Sequence, residues 1–195
     1  HLAYYPNSIY INILIDKFII LLSLCLHMSS LLLKILKNIN VANKQHVTLS
    51  HAGESDIYID IKKAYGYPDA LSYICINLYD KLAKHNPTCI AGSGYGGIPL
   101  ATALSSIYQL KLSLIRQEIK DHGLAKMIEG YMPCHDDKVA IVDDVATSGK
   151  SLQDSISMIR QTGAEILGCY VVVNRGNPKL DVLLHSLFTL GDFLK

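Results

Sequence analysis

The sequence has no surplus of charge of either sign. Eighteen Lys and Arg face 17 Asp and Glu, for a formal net charge of +1. That balance excludes a generic nucleic-acid or membrane-surface binder, whose affinity would come from a basic excess. There is no Cys-x-x-Cys pair, and the five cysteines (Cys25, Cys75, Cys89, Cys134 and Cys169) are odd in number and widely spaced. Neither a zinc ribbon nor a redox dithiol is therefore signalled, and reduced thiols in a cytoplasmic protein are expected. Glycine (13) and proline (6) are too few for a collagen-like or low-complexity chain. No apolar run is long enough to cross a membrane. The longest stretch without a charged side chain, Phe18–Leu33, has 16 residues, against the roughly 20 that a spanning helix needs. A longer span would bury Asp16 and Lys17, at about 3 kcal/mol each. What the chain does have is 195 residues, half of them hydrophobic. That excludes disorder and is enough to bury the core of one α/β domain.

The chain opens on His1, and residues 1–27 read as a non-native leader or a disordered, apolar extension, with Met28 as a plausible native start. No basic residues precede the apolar run and no small-residue cleavage site follows it, so a secretory signal is not indicated. Residues 28–195 read as a single domain. From Ser29 onward, Leu32, Ile35, Leu36 and Ile39 recur at helical spacing. Ile57–Ile61 alternates like a half-buried strand. Pro68 and Asp69 open a helix to about His85, with Leu71, Ile74, Cys75, Leu78 and Leu82 on one face. A strand at Cys89–Ala91 leads to a glycine loop, Gly92–Gly97, and a helix from about Pro99 to Gln109. Further strands are expected at Leu112–Ile115, Val139–Val142, Leu167–Val173 and Leu187–Thr189, with a helix from Lys150 to Thr162. Strands alternating with helices imply a mostly parallel sheet flanked by helices. In such sheets ligands bind beyond the carboxyl ends of the strands, here after Ala91, Ile115, Val142 and Val173.

The sharpest local signal is Val139–Leu152, VAIVDDVATSGKSL. Four apolar residues form a buried strand, Asp143 and Asp144 stand at its end, and Thr147, Ser148 and Gly149 make a tight turn into a helix near Lys150. Such a turn aims several backbone N–H groups at one phosphate, with the helix N-terminus behind them. Thr147, Ser148 and Ser151 add hydroxyl donors. Adjacent carboxylates would repel a bare phosphate, but suit sugar hydroxyls or a divalent cation. The composite target is a ribose 5-phosphate. The competing reading is an ordinary strand-to-helix cap, with Thr147 or Ser148 as the N-cap. A Walker A loop is excluded because its GxxxxGK[ST] pattern is absent. A second polar run, Arg116–Gly123 (RQEIKDHG), follows a buried strand. It is either a solvated loop or a mobile excursion bringing Arg116, Lys120 and His122 to an anion. His46, His51, His85, His135 and His185 lack metal-ligand spacing and read as surface or satisfied core histidines.

These segments together resemble the type I phosphoribosyltransferases, and among them the orotate phosphoribosyltransferases, over roughly residues 45–195. Val139–Leu152 resembles the 5-phosphoribosyl 1-diphosphate (PRPP) signature. RQEIKDHG resembles the catalytic loop Arg-Lys-x-x-Lys-x-His-Gly, with Gln117 in place of the second basic residue. SDIYIDIK, at Ser55–Lys62, resembles the strand over the orotate site. GSGYGGIPL, at Gly92–Leu100, resembles the diphosphate loop, in which some bacterial members carry a Lys where Gly96 stands. VVVNR, at Val171–Arg175, resembles a strand ending in Asp-Arg, with Asn174 replacing the Asp. The resemblance implies a central mostly parallel sheet flanked by helices, with a small N-terminal hood. It implies orotate and PRPP as substrates, with Lys120, His122, Asp143 and Asp144 as catalytic residues. PRPP would be held by Arg116, Gln117, Lys120, His122 and the run Asp143, Asp144, Val145, Ala146, Thr147, Ser148, Gly149, Lys150 and Ser151. The diphosphate loop would be Gly94, Tyr95, Gly96 and Gly97, and orotate would meet Thr147 and Arg175. The resemblance also implies Mg²⁺ bound mainly through PRPP near Asp143 and Asp144, with no direct protein ligand assigned. It further implies a homodimer whose 116–123 loop reaches the partner's site, and neither a nucleic-acid nor a membrane partner. The family's Ser-Gly-(Lys/Arg) turn reads His51-Ala52-Gly53 here. Lys62 and Lys63 then stand either as surface lysines or as partial replacements for the missing basic side chain. Two alternatives remain: a purine phosphoribosyltransferase on the same fold, and a non-catalytic nucleotide-sensing regulator.

Overall fold

The computed structural model describes residues 28–49, 53–117 and 127–194. Residues 1–27, the expected leader or extension, lie outside them. Helix α1 covers 28–38, and its spacing buries Leu32 and Leu36 completely. Strands β1 (Ala42–Leu49) and β2 (Gly53–Ile59) pair antiparallel, Ala42 opposite Ile59 and Leu49 opposite Gly53. This hairpin is the hood. β1 has no clean alternation of its own, so only its partner was legible in the sequence. The four-residue helix α2 (Lys62–Tyr65) follows, then α3 (Pro68–Leu82), started by a proline in its first turn and buried through Ile74, Cys75, Leu78 and Leu82. A short 3₁₀ turn, Ala83–His85, ends on Asn86 in the left-handed region.

Strands β3 (Cys89–Ser93), β4 (Lys111–Ile115), β6 (Lys138–Ala146), β7 (Glu165–Asn174) and β8 (Leu184–Thr189) form a parallel array, with β5 (Ile128–Gly130) antiparallel at one edge. The order is β5-β4-β3-β6-β7-β8. Helix α4 (Gly94–Tyr108) joins β3 to β4, and α5 (Lys150–Arg160) joins β6 to β7. Side chains alternate between two cores. Ile90, Ala140, Val142, Tyr170 and Val172 meet α1, α3 and α4, whereas Cys89, Ala91, Val139, Ile141, Cys169 and Val171 meet Leu152, Ile156 and Ile159 of α5. Burial on both faces is why these strands read as unbroken apolar runs. Each fully buried aliphatic side chain contributes about 1.5–3 kcal/mol.

The chain order reverses between β3 and β6, whose following helices leave to opposite faces, and this makes the crevice of an open α/β sheet. Pairing of β3 with β6 runs from Cys89–Val139 to Gly92–Val142. Asp143 is the next residue. At the other end of the sheet, buried Asp137 accepts hydrogen bonds from Lys111 (2.8 Å), the Tyr131 hydroxyl (2.8 Å), Thr88 (2.9 Å) and the Cys134 N–H (3.1 Å). Burial alone would raise the Asp137 pKa. These donors outweigh it and hold the carboxyl well below the usual range.

Two expectations are corrected. Gly94–Gly97 is not a loop but the first turn of α4, because β3 runs two residues further, to Ser93. The acids do not follow the strand; β6 continues through them to Ala146, held by Asp143–Val171 and Val145–Val173 pairing with β7. No helix among the described residues is long and apolar enough to cross a membrane. The close seating of α4 depends on Gly97, where an added Cβ would lie 2.6 Å from the Val142 carbonyl oxygen. Gly97→Ala is expected to lower the unfolding free energy by about 1–3 kcal/mol in urea titration. Gly66→Ala, whose Cβ would meet only the Lys63 carbonyl at 3.5 Å, is expected to stay within about 0.5 kcal/mol of the parent.

Candidate active site

Four segments meet at the carboxyl ends of the parallel strands: Ser93–Gly97, Arg116–Gln117, Asp143–Ser151 and Asn174–Gly176. Asp143 and Asp144 are both buried, at 6% and 8% exposure. Asp143 accepts the Asp144 N–H at 2.9 Å and the Ser151 hydroxyl at 3.1 Å. Asp144 accepts the Val145 N–H at 2.8 Å and the Lys62 ammonium at 3.2 Å. Burial, and then the neighbouring Asp144 charge, push the Asp143 carboxyl above its ordinary pKa. The α4 turn packs directly on the pair, and a Cβ on Gly96 would collide with Asp144 and sit 2.6 Å from Asp143 Oδ1.

The turn after β6 is built as a strand-to-helix hinge. Gly149 has φ +78°, and any Cβ there would lie 2.6 Å from Pro178. It is also the N-cap of α5, so neither Thr147 nor Ser148 holds that position. The Ser148 hydroxyl accepts from the Lys150 N–H at 3.4 Å. A cleft of about 470 Å³ opens beside this turn, lined by Ser148, Lys150, Ser151, Ser93, Arg116 and Gln117 among others. A second of about 450 Å³ continues past Gly94 and Gln117 to Glu129.

Most of the sequence-predicted residues converge here. Gly94, Gly96 and Gly97 do so as a helical turn, and Tyr95 stands 90% exposed at the rim. Gln117 packs against Gly94, where its amide blocks any Cβ. Val145 packs into the core and Ala146 is buried, so these two act through the backbone: the Ala146 carbonyl accepts the N–H groups of Arg175 (2.8 Å) and Gly176 (3.1 Å). Arg175 in turn donates to the Ile57 carbonyl of the hood at 2.6 Å. Arg116 pairs with Glu129 of β5 at 2.6 Å, because β5 lies antiparallel beside β4 and sets Glu129 across from Leu114. Both side chains are about half exposed, and such pairs are worth about 0–1 kcal/mol. Lys120, His122, His51 and Cys25 lie outside the described residues.

The sequence assigns no individual role to Asp60, Tyr65 or Gly176, although Asp60 and Lys62 stand in the SDIYIDIK motif, and it leaves Lys62 undecided. Lys62 bridges Asp60 (3.0 Å) and Asp144 (3.2 Å). Burial would lower its pKa, but Asp144 and Asp60 outweigh it and hold the ammonium above the usual lysine value. Lys63, by contrast, donates to the Asn40 carbonyl on the exterior. The Tyr65 hydroxyl donates to the Gly96 carbonyl at 2.8 Å. A Cβ on Gly176 would collide with the Thr147 carbonyl. The period-two pattern of Ile57–Ile61 could have signalled Asp60, the polar residue next to the end of β2. His85 and His135 are exposed as expected. His185 is not a satisfied core histidine: it stacks on Tyr170 at 4.8 Å with its Nε2 unpartnered. Cys134, His135 and Asp136 gather on the turn before β6, at the end of the sheet away from the acid pair.

The phosphoribosyl transferase domain matches residues 69–189, from α3 to β8. An orotate phosphoribosyltransferase from Methanosphaera stadtmanae is 38% identical over 170 residues, 84% of this chain and 95% of that protein. The chain belongs to the orotate phosphoribosyltransferase family. The family member from Methanothermobacter thermautotrophicus is 33% identical over 83% of this chain and 92% of its own length. The crystal structure of orotate phosphoribosyltransferase from Aeropyrum pernix superposes with a TM-score of 0.73 at 31% identity, covering 84% of this chain and 96% of that one. The expected type I fold is thereby established.

The raised pKa of Asp143 has a consequence for stability. The folded state holds this proton above the pH at which the unfolded chain releases it. Stability is therefore lost as pH rises from the ordinary carboxylate range towards the raised value. Asp143→Asn, which removes the charge, keeps one acceptor oxygen for the Asp144 N–H and offers an amide donor to the Ser151 hydroxyl, is expected to melt at a higher temperature than the parent at neutral pH. The difference should vanish near pH 4, as read by thermal melts across that range.

Proposed function

We propose that the protein transfers the phosphoribosyl group of PRPP to orotate, giving orotidine 5′-phosphate and diphosphate, a step of pyrimidine biosynthesis. One observation carries this reading. Backbone hydrogen bonds from Arg175 and Gly176 to Ala146 lock the orotate-type arginine to the β6 turn, while the guanidinium faces the hood strand. These contacts support a reading in which a phosphate turn, a sugar-binding acid pair and a planar anion receptor serve one substrate pair.

Roles follow from the chemistry. The Thr147–Ser151 turn anchors the 5′-phosphate at the start of α5. Asp143 and Asp144 accept the ribose hydroxyls, and their negative charge suits the oxocarbenium-like carbon that develops as the C1′–O bond loosens. Binding energy at the remote phosphate positions that carbon. The first turn of α4 faces the leaving diphosphate. Arg116, released from a weak surface pair, joins Lys120 and His122 in stabilising the growing charge. Arg175 pairs its planar fork with the orotate carboxylate or a ring carbonyl. Closure of the 116–123 loop excludes water from the activated sugar.

The donor set also fits Mg²⁺. Asp143 and Asp144 offer hard carboxylate oxygens of the kind Mg²⁺ takes, beside the oxygens of the donor itself. When bound, it would neutralise charge on the diphosphate. A homodimer with the 116–123 loop reaching the partner's site is the proposed assembly, on the strength of the family resemblance. The cytoplasm is the proposed location. Its support is that Cys75, Cys89, Cys134 and Cys169, the cysteines among the described residues, are free thiols.

Diphosphate release measured with a panel of bases tests the reading. Orotate is expected to support turnover, and adenine and hypoxanthine are not; the reverse pattern would assign a purine enzyme. Tight, salt-sensitive RNA binding without turnover would assign a regulator. Arg175→Ala is expected to raise the KM for orotate by about 10- to 100-fold, the worth of a charge-assisted pair, with little change in the KM for PRPP.

A further inference from the structure

The acid pair poses an electrostatic problem. Two adjacent, buried carboxylates face a crevice that, on the reading above, takes a donor bearing both a diphosphate and a 5′-phosphate. Low local dielectric makes that repulsion costly unless a cation is fixed nearby. The nearest backbone, the first turn of α4, cannot supply one, because Gly96 has no room for a Cβ against Asp143 and Asp144. The cation comes instead from the hood side. Lys62, the first residue of α2, reaches Asp144 Oδ2 at 3.2 Å and is braced from behind by Asp60 at 3.0 Å. The far end of the same short helix is fastened to the same turn, through the Tyr65 hydroxyl on the Gly96 carbonyl. Helix α2 therefore spans the acid pair and the diphosphate turn with one contact on each.

We infer that Lys62 is a positioning residue for PRPP, a fixed cation that orients Asp144 and offsets the negative charge of the acid pair as the polyanionic donor enters. It acts through Asp144 and stays in place. A carboxylate oxygen has two lone pairs, so Asp144 can hold the ammonium and still accept a ribose hydroxyl. The opposite role, an occupant that the donor must evict, predicts the opposite effect of removing it. The inference rests on the phosphoribosyltransferase reading of the crevice, but not on which base is used.

The test is calorimetric titration of PRPP with Mg²⁺ into the full chain without any base. Lys62→Met is expected to weaken donor binding by about tenfold or more, in line with loss of a charge-assisted contact. Lys62→Arg is expected to bind within about threefold of the parent. Lys63→Met, an exterior change, should bind as the parent does. In turnover, Lys62→Met is expected to raise the KM for PRPP while leaving the KM for orotate within about twofold. A merely structural lysine would not produce that split. Thermal melts confirm folding, and if Lys62→Met does not fold, Lys62→Gln against Lys62→Arg carries the same comparison. Unchanged or tighter donor binding by the neutral variant overturns the inference. A parent protein that binds PRPP but rejects orotate removes the substrate assignment and leaves the inference standing. A parent that does not bind PRPP removes both.

Discussion

The site depends on one close packing: backbone of the first α4 turn pressed against two buried carboxylates at the switch point of the sheet. Gly96 and Gly97 permit it, the first against Asp143 and Asp144, the second against the Val142 carbonyl. Because β3 and β6 stop pairing at Gly92 and Val142, the strands part just where the acids begin. The helices that follow leave to opposite faces, so the crevice is a consequence of topology rather than of any loop. Everything else is arranged around it: the Gly149 hinge below, Arg175 tied to Ala146 beside it, and Lys62 above.

This arrangement trades stability for function. Burying adjacent carboxylates is unfavourable, and the fold tolerates it by giving each of the four oxygens one donor, from two backbone N–H groups, Ser151 and Lys62. None of these partners closes the site, since each oxygen keeps acceptor capacity for a sugar hydroxyl. The structural anchor is kept at the other end of the sheet, where buried Asp137 with its four donors pins β6 to the turns around it.

Much of the architecture was legible in the sequence because the signals were local. VAIVDD is a buried run followed by acids; Pro68 marks a helix start; the apolar strands at 112–115 and 167–173 have the length of core strands. Boundaries failed where tertiary packing extended an element past its apolar residues. β6 runs through Asp143 and Asp144 because β7 pairs with Asp143 and again with Val145 and Ala146, and α4 starts at Gly94 because its glycines fit between β3 and β6. Strand β5 has only three residues and β1 no alternation, so neither had a pattern to read. At the site, the acid pair, the turn and Arg175 stood in contiguous motifs. Asp60 and Lys62 stood in the SDIYIDIK motif without a role at the acid pair, and Tyr65 stood in none. They reach the crevice from 82 residues upstream in the case of the Lys62–Asp144 bond, and only the fold of the hood shows that α2 lies over it.

The central claim is that residues 143–151 hold the activated pentose by its ring hydroxyls and its terminal phosphate. A crystal structure of the protein with PRPP and Mg²⁺ tests it most directly. The account predicts ribose hydroxyl oxygens within hydrogen-bond distance of Asp143 and Asp144, and the 5′-phosphate seated on the Thr147–Ser151 turn. Donor density elsewhere, with this crevice holding only water, would contradict it.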